Sequence, residues 1–344
     1  MANICVLGGG GWAIGIAVLL SNNGHDVTMW SALESEVNDL STFRENKRAL
    51  PGVKISGDVF VTGDLGLAVK DKDIIIMAVA SSFVRKTSAA IKNFVRDGQI
   101  ILSVAKGIED GTLKLMSQVI ADELCGCDVA VLSGPTHAEE VGIGLPTTAV
   151  VGAESSGTAK YIQSVFSSSV FRTYTSDDIK GIELGGALKN VIALAAGIAD
   201  GLGYGDNTKA ALITRGIHEI SRLGVRMGCD PETFVGLSGI GDLIVTCASM
   251  HSRNRRAGIL IGRGKTLEEA KREVGTVVEG AVCAGAALKL SEKYDVELPI
   301  TEQVNLILFK GKNAADAVGE LMGRRHRAET DKGEKTENGR ETEV

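Results

Sequence analysis

The sequence predicts an α/β chain in which an N-terminal doubly wound sheet is followed by an all-helical C-terminal domain. Three observations predict it. Short apolar runs alternate with helical segments through the first half. The first of these runs leads straight into a glycine turn and a helix. After about residue 177 the strand-like runs stop while long helical patterns continue. With 344 residues the chain exceeds the usual size of one hydrophobic core. The expected division is 1–178 for the sheet domain, 179–324 for the helical domain and 325–344 for a polar, mobile tail.

The strands are expected at "NICVL" (3–7), "DVTMW" (26–30), "DIIIMAV" (73–79), "QIILSV" (99–104), "DVAVLS" (128–133) and "TTAVVG" (147–152). Several are apolar without alternation, which fits strands covered on both faces of a parallel sheet. The helical half opens with "IELGGALKNVIALAAGIADGL" and continues with "TKAALITRGIHEISRLGVRMG" and "TLEEAKREVG"; "DPETFVGL" supplies an aspartate-capped helix start. From Gly323 onward almost no apolar residue remains.

Composition narrows the function classes. Hydrophobic residues make up 44% and aromatics 4%, so the core is aliphatic. A net charge of −6 argues against a nucleic-acid partner or an anionic membrane surface. No uninterrupted apolar run of about 18 residues occurs, so no membrane insertion is expected. The apolar N-terminus lacks a basic leader region and a small-residue cleavage site, which points to the cytoplasm. The six cysteines show no CxxC pairing. They predict small core residues in a reducing compartment and no metal site.

The first strand runs into Gly8-Gly9-Gly10-Gly11-Trp12-Ala13, a G-x-G-x-x-A pattern, and then into the helix "IGIAVLL". Gly8 permits the tight turn, Gly10 removes a side chain that would block a pyrophosphate, and Ala13 lets helix and strand lie close. The free N–H groups of the helix start then face the phosphates. The sheet domain is therefore Rossmann-like and the expected cofactor is NAD or NADP. Ser31-Ala32-Leu33 after the second strand carry neither the acid that selects a ribose hydroxyl nor the arginine that selects a 2′-phosphate, and Glu34 comes late.

Three further places carry chemistry. Lys106, in "SVAKGIE", follows the carboxyl end of a strand, where open α/β sheets bind ligands; an ordinary loop lysine is the other reading. Lys189 lies in "GGALKNVIALAAG" with Gly185 and Gly186 at i−4 and i−3, which leaves open space beside it. An ammonium there is costly unless an anion or polar ligand meets it, and burial lowers its pKa; a lysine snorkelling from a helix edge is the alternative. "HSRNRR" (251–256) gathers three arginines suited to bidentate phosphate binding, or else forms a solvated basic loop. Asp242, in "GIGDLIVTC", either caps a helix, binds a substrate hydroxyl or orients a lysine.

With "GGGGWAIGIA", "AKGIE", "SGPTHAEEV", "GGALKNVIALAAGIADGLG", "LITRG", "GIGDLIVTC", "SRNRR", "VVEG", "LPIT" and "GKNA" in order from about residue 3 to 325, the chain resembles bacterial NAD(P)-dependent glycerol-3-phosphate dehydrogenases. The resemblance implies reduction of dihydroxyacetone phosphate to sn-glycerol 3-phosphate for phospholipid synthesis. It implies Lys189 as proton donor and acceptor. Substrate contacts would come from Lys106, Gly134, Thr136, Lys189, Asp242, Ser252, Arg253 and Asn254. Cofactor contacts would come from Gly8, Gly10, Gly11, Trp12, Lys106, Ala138, Arg253, Val277 and Glu279. Because helical second domains of this kind commonly associate, a homodimer is also expected. Ala13 stands where the family often has glycine, Gly11 where it has serine, and Ala49 where a tyrosine precedes "LPG". A β-hydroxyacid or ketopantoate-type reductase shares the domain plan, and a non-catalytic dinucleotide sensor would share the turn.

Overall fold

The computed structural model of the chain describes residues 1–275, 277–326 and 329. The tail expected over 325–344 therefore lies almost entirely outside the described residues. Eight strands form one sheet in the order β3-β2-β1-β4-β5-β6-β7-β8. They are β1 (Asn3–Leu7), β2 (Asp26–Trp30), β3 (Phe60–Thr62), β4 (Ile74–Met77), β5 (Ile100–Ser103), β6 (Asp128–Ser133), β7 (Thr147–Ala153) and β8 (Phe171–Ser176).

All neighbouring strands run parallel except β6 and β7, which pair antiparallel with Ser133 opposite Val150. The reversal departs from the uniform βαβ pattern expected. The link from β6 to β7 carries only the four-residue helix Ala138–Val141, which packs on helix Gly11–Asn22, in place of the longer helix of a parallel crossover. Both β3 and β8 were absent from the strand expectation. β3 has three residues, and β8 is a polar alternating run whose Phe171 and Thr173 point inward while Arg172 and Tyr174 face out.

The unbroken apolar runs follow from burial on both faces. Ile4 and Val6 of β1, with Ile74 and Ile76 of β4, pack into one core layer. Cys5, Leu7, Ile75 and Met77 pack into the opposite one. Four cysteines are buried as expected, but Cys125 is exposed and Cys127 half-buried in the turn before β6.

Two residues separate Ser176 from the helix Ile179–Gly201, and the second of them, Asp178, accepts a capping bond from Gly181 N–H. By length and hydropathy it could cross a membrane, yet its apolar window is wholly buried within the protein. Helices Asp206–Arg226, Asp242–Ala248, Arg253–Gly262 and Glu279–Tyr294 pack around it. Gly197 and Gly201 face Gly258 and Gly262 of the Arg253–Gly262 helix. A Cβ at any of the four would collide with the partner's backbone. This close approach brings the arginine loop alongside the lysine-bearing helix.

Candidate active site

The glycine turn, Lys106 and Gly134 follow β1, β5 and β6, so all three lie beyond the carboxyl ends of parallel-sheet strands. Gly8 needs to be glycine for the fold. Its φ is +140°, and a Cβ would stand 2.7 Å from the Ala78 carbonyl oxygen. Gly10 does not need to be glycine for the fold. Its φ of −77° and ψ of 173° suit any residue, and a Cβ there would meet nothing within 4 Å. A glycine that the protein itself does not require, opening on free space at a helix start, fits a cradle for a pyrophosphate. Gly10 is also the N-cap of helix Gly11–Asn22 and supplies no side-chain cap, so the first-turn N–H groups remain available. Beside them the buried Trp12 indole Nε1 has no hydrogen-bond partner. Asn46, buried, donates to the Gly9 carbonyl at 3.0 Å and fixes the turn. Ala138 lies against this helix, close to both Gly11 and Gly15. The residues present thus fit a dinucleotide.

The second half of the site is a charged cluster joined from three distant segments. Lys189 is buried on helix Ile179–Gly201. Its Nζ donates to Asp242 Oδ1, and to Thr246 Oγ1 at 2.8 Å. Lys106 Nζ donates to Asp242 Oδ2 at 2.6 Å and to the Gly134 carbonyl at 3.0 Å. One carboxylate, 1% exposed, therefore holds both ammonium groups, one on each oxygen. Thr246 sits one turn after Asp242 and also donates to its backbone carbonyl at 2.6 Å. The space expected beside Lys189 is filled: a Cβ on Gly185 would strike the Ser238 carbonyl, and one on Gly186 would reach Ser133 and the Lys106 stem. The glycines make room for neighbouring protein atoms.

Electrostatics follow from this geometry. Burial pushes the Lys189 ammonium down to about 7; the Lys106 charge acts in the same direction and Asp242 opposes it. Burial would raise the Asp242 carboxyl, but its two lysine partners together hold it below the usual range. Burial, aided by the Lys189 charge, also lowers His137, whose buried Nε2 is unpartnered.

The arginine loop is sorted by the structure into different roles. Ser252 caps helix Arg253–Gly262, accepting from Arg255 N–H at 3.2 Å. Asn254 donates to Asn190 Oδ1 at 2.9 Å and accepts from Gly280 N–H at 2.8 Å, so its amide is engaged within the protein. That bond ties the residue after Arg253 to the residue after Lys189. Arg255 is paired with Asp200 at 2.8 Å and with the Ala248 carbonyl at 2.7 Å. Arg253 remains exposed at the helix start. Its charge is felt by Glu279, whose carboxyl burial raises. Glu279 accepts from Ser81 Oγ at 2.7 Å, which joins the helical half to the sheet half just after β4. Val277 is 43% exposed beside it. His251 is exposed, with its ring tilted at 58° and its centroid 5.8 Å from that of His137.

Thr136 Oγ1 donates to the Gly134 carbonyl at 3.2 Å, so that carbonyl receives both Lys106 and Thr136. Thr246, Asn46 and Ser81 escaped the sequence reading. Thr246 alone left a signal, the i, i+4 spacing from Asp242 on one helix.

Comparison with known proteins bears on both halves. The family descriptions "NAD-dependent glycerol-3-phosphate dehydrogenase N-terminus" and "C-terminus" match residues 3–159 and 178–319. A glycerol-3-phosphate dehydrogenase [NAD(P)+] from Fusobacterium nucleatum is 58% identical over 324 residues, covering 94% of this chain and 97% of the relative. One from Agathobacter rectalis is 55% identical, covering 96% and 98%. Among solved structures, glycerol-3-phosphate dehydrogenase from Coxiella burnetii superimposes with a TM-score of 0.91 at 35% identity, covering 94% and 99%. A ketopantoate reductase from Ralstonia eutropha, at 14% identity and a TM-score of 0.59, shares the fold.

Proposed function

This chain belongs to the NAD-dependent glycerol-3-phosphate dehydrogenase family, and we propose that its Lys106–Asp242–Lys189 cluster is the site where dihydroxyacetone phosphate is reduced to sn-glycerol 3-phosphate. The chain is an oxidoreductase that takes NAD or NADP as cofactor. The product is the glycerophosphate backbone of phospholipids, so the enzyme feeds their synthesis. The observation that carries the reading is the single buried carboxylate, Asp242, gripping two lysines, one buried and one half-buried.

When bound, the reduced nicotinamide supplies hydride to the ketone carbon. The protein's part is to meet the negative charge that grows on the ketone oxygen. Lys189, depressed to about 7, holds a proton it can give up near neutral pH. Asp242 and Thr246 fix its nitrogen, and no reorganisation is needed as charge develops. Lys106 adds a second positive charge and links that field to the Gly134 loop. Arg253 takes the phosphate. Its neighbour Asn254 is bonded to Asn190, the residue after Lys189, so guanidinium and ammonium serve one small molecule. Gly10, Gly11, Trp12 and Ala138 line the cofactor's pyrophosphate side, and Val277 and Glu279 its helical side. We divide the chain at 178/179, and we place the enzyme in the cytoplasm as a homodimer.

The test is the Lys189→Ala variant assayed with dihydroxyacetone phosphate and reduced cofactor. The expected result is a kcat lowered by roughly 10²–10⁴ with cofactor affinity retained. Equal losses in both would make Lys189 a structural residue.

A further inference from the structure

The sequence leaves cofactor choice open because the residues directly after β2 are Ser31, Ala32 and Leu33. The structure brings a carboxylate to that place from elsewhere. Glu36 lies in the short helix Glu34–Asn38, and its side chain folds back over the glycine turn. A Cβ added to Gly9 would collide with the Glu36 carboxylate, so the carboxylate rests directly against the middle residue of Gly8-Gly9-Gly10. Ser31, buried at the end of β2, donates its hydroxyl to Glu36 Oε2. The same Ser31 oxygen accepts from Leu33 N–H at 3.1 Å, which fixes the loop that carries the glutamate. Oε1 takes no hydrogen bond, and Glu36 no ion-pair partner, among the described residues.

The cationic groups that could have favoured a 2′-phosphate are placed differently. Arg44 is committed to two backbone carbonyls, those of Ser56 and of Val59, the latter at 2.7 Å. Lys47 and Arg48 are exposed on the loop beyond Asn46. Glu34 is exposed as well and is not the residue that reaches the turn.

We propose that Glu36 is the specificity residue for the cofactor: its free oxygen accepts the adenosine ribose 2′-hydroxyl, and its charge repels a 2′-phosphate, so the enzyme selects NAD(H) over NADP(H). This rests on the dinucleotide reading of the glycine turn. A ribose attached to a pyrophosphate at Gly10 has its 2′ and 3′ hydroxyls over the start of β2's loop, where an acid selects the unphosphorylated form. Here the acid arrives from the first helical turn after the loop, two residues beyond Glu34. A neighbouring hydroxyl, Ser31, holds it in place. Like charges brought together at close range are strongly disfavoured, so one carboxylate is enough to discriminate.

The experiment is titration of the full chain with NADH and with NADPH separately, without substrate, following nicotinamide fluorescence. The wild-type chain is expected to bind NADH at least about tenfold more tightly than NADPH. In Glu36→Gln the preference should fall most of the way to parity, chiefly because NADPH binding tightens. Ser31→Ala, which frees the carboxylate to swing, should give an intermediate ratio. Circular dichroism of each variant verifies that the fold is kept. Wild-type binding that is equal for the two cofactors, or tighter for NADPH, overturns the proposal. So does a Glu36→Gln variant that weakens both cofactors alike, which would assign Glu36 a role in holding the turn. Failure of both cofactors to bind overturns the cofactor-site reading and this proposal with it.

Discussion

The two halves of the site are built from opposite materials. The cofactor end is made by removing side chains: Gly8 permits the turn, Gly10 leaves a gap, and the helix start offers bare N–H groups. The catalytic end is made by burying charge: Lys189 and Asp242 are buried, Lys106 is half-buried, and the three come from separate segments and are locked together. A polyanion that binds through its phosphates needs close approach to backbone. A ketone that becomes an alkoxide needs a fixed positive field in a dry place. Damage to the two ends should therefore differ in kind. The catalytic end couples chemistry to stability, whereas the cofactor gap can be filled without disturbing the fold.

The largest effect should follow loss of the shared carboxylate. Asp242→Asn leaves two ammonium groups without a counter-charge, one of them buried, and is expected to cost about 3–5 kcal/mol of unfolding free energy together with nearly all turnover. Chemical denaturation checks the first part. A loss below about 1 kcal/mol would mean that the cluster is solvated and the contrast fails. Next comes Arg253→Ala. Because Arg253 is exposed, stability should hold. The KM for dihydroxyacetone phosphate should rise roughly ten- to hundredfold, the worth of a charge-assisted phosphate contact. An unchanged KM would remove Arg253 from the phosphate site. The smallest change is Gly10→Ala, which is expected to weaken cofactor binding about tenfold at an unaltered melting temperature. Gly8→Ala sharpens the comparison: its Cβ runs into the Ala78 carbonyl, so it should lower the melting temperature as well. If both glycine variants melted alike, the distinction between a turn glycine and a ligand glycine would collapse.

These differences also explain what could be read in the sequence. The glycine turn is contiguous and sits between a strand and a helix, so its meaning is local and visible. The runs of β2, β4, β5, β6 and β7 were visible for the same reason, several of them as continuous apolar segments. β3 is too short to carry a pattern, and β8 alternates with polar residues that hide it. The antiparallel turn of β7 depends on a short connection whose consequence appears only once the sheet is assembled. At the catalytic end, Lys189 stood out as a charge among small apolar residues. Which lysine Asp242 would hold, and that it would hold two, could not be seen from positions 136 and 53 residues apart. Of the readings open for Asp242, the structure realises the one in which it orients a lysine, and it does so for two. Glu36 escaped notice because a carboxylate reaching back from a helix leaves no mark in the strand-end pattern.

The central claim is that Lys189 is a buried acid tuned to neutrality. The direct measurement is the pH dependence of kcat/KM in both directions. The reductive direction needs the ammonium form, so its rate with dihydroxyacetone phosphate should fall as pH rises through about 7. Oxidation of sn-glycerol 3-phosphate needs the free amine, and its rate should rise through the same midpoint. Opposed profiles crossing near 7, absent from the residual activity of Lys189→Ala, are the expected result. A transition at the ordinary lysine value of 10.5, or parallel profiles in the two directions, would contradict the account.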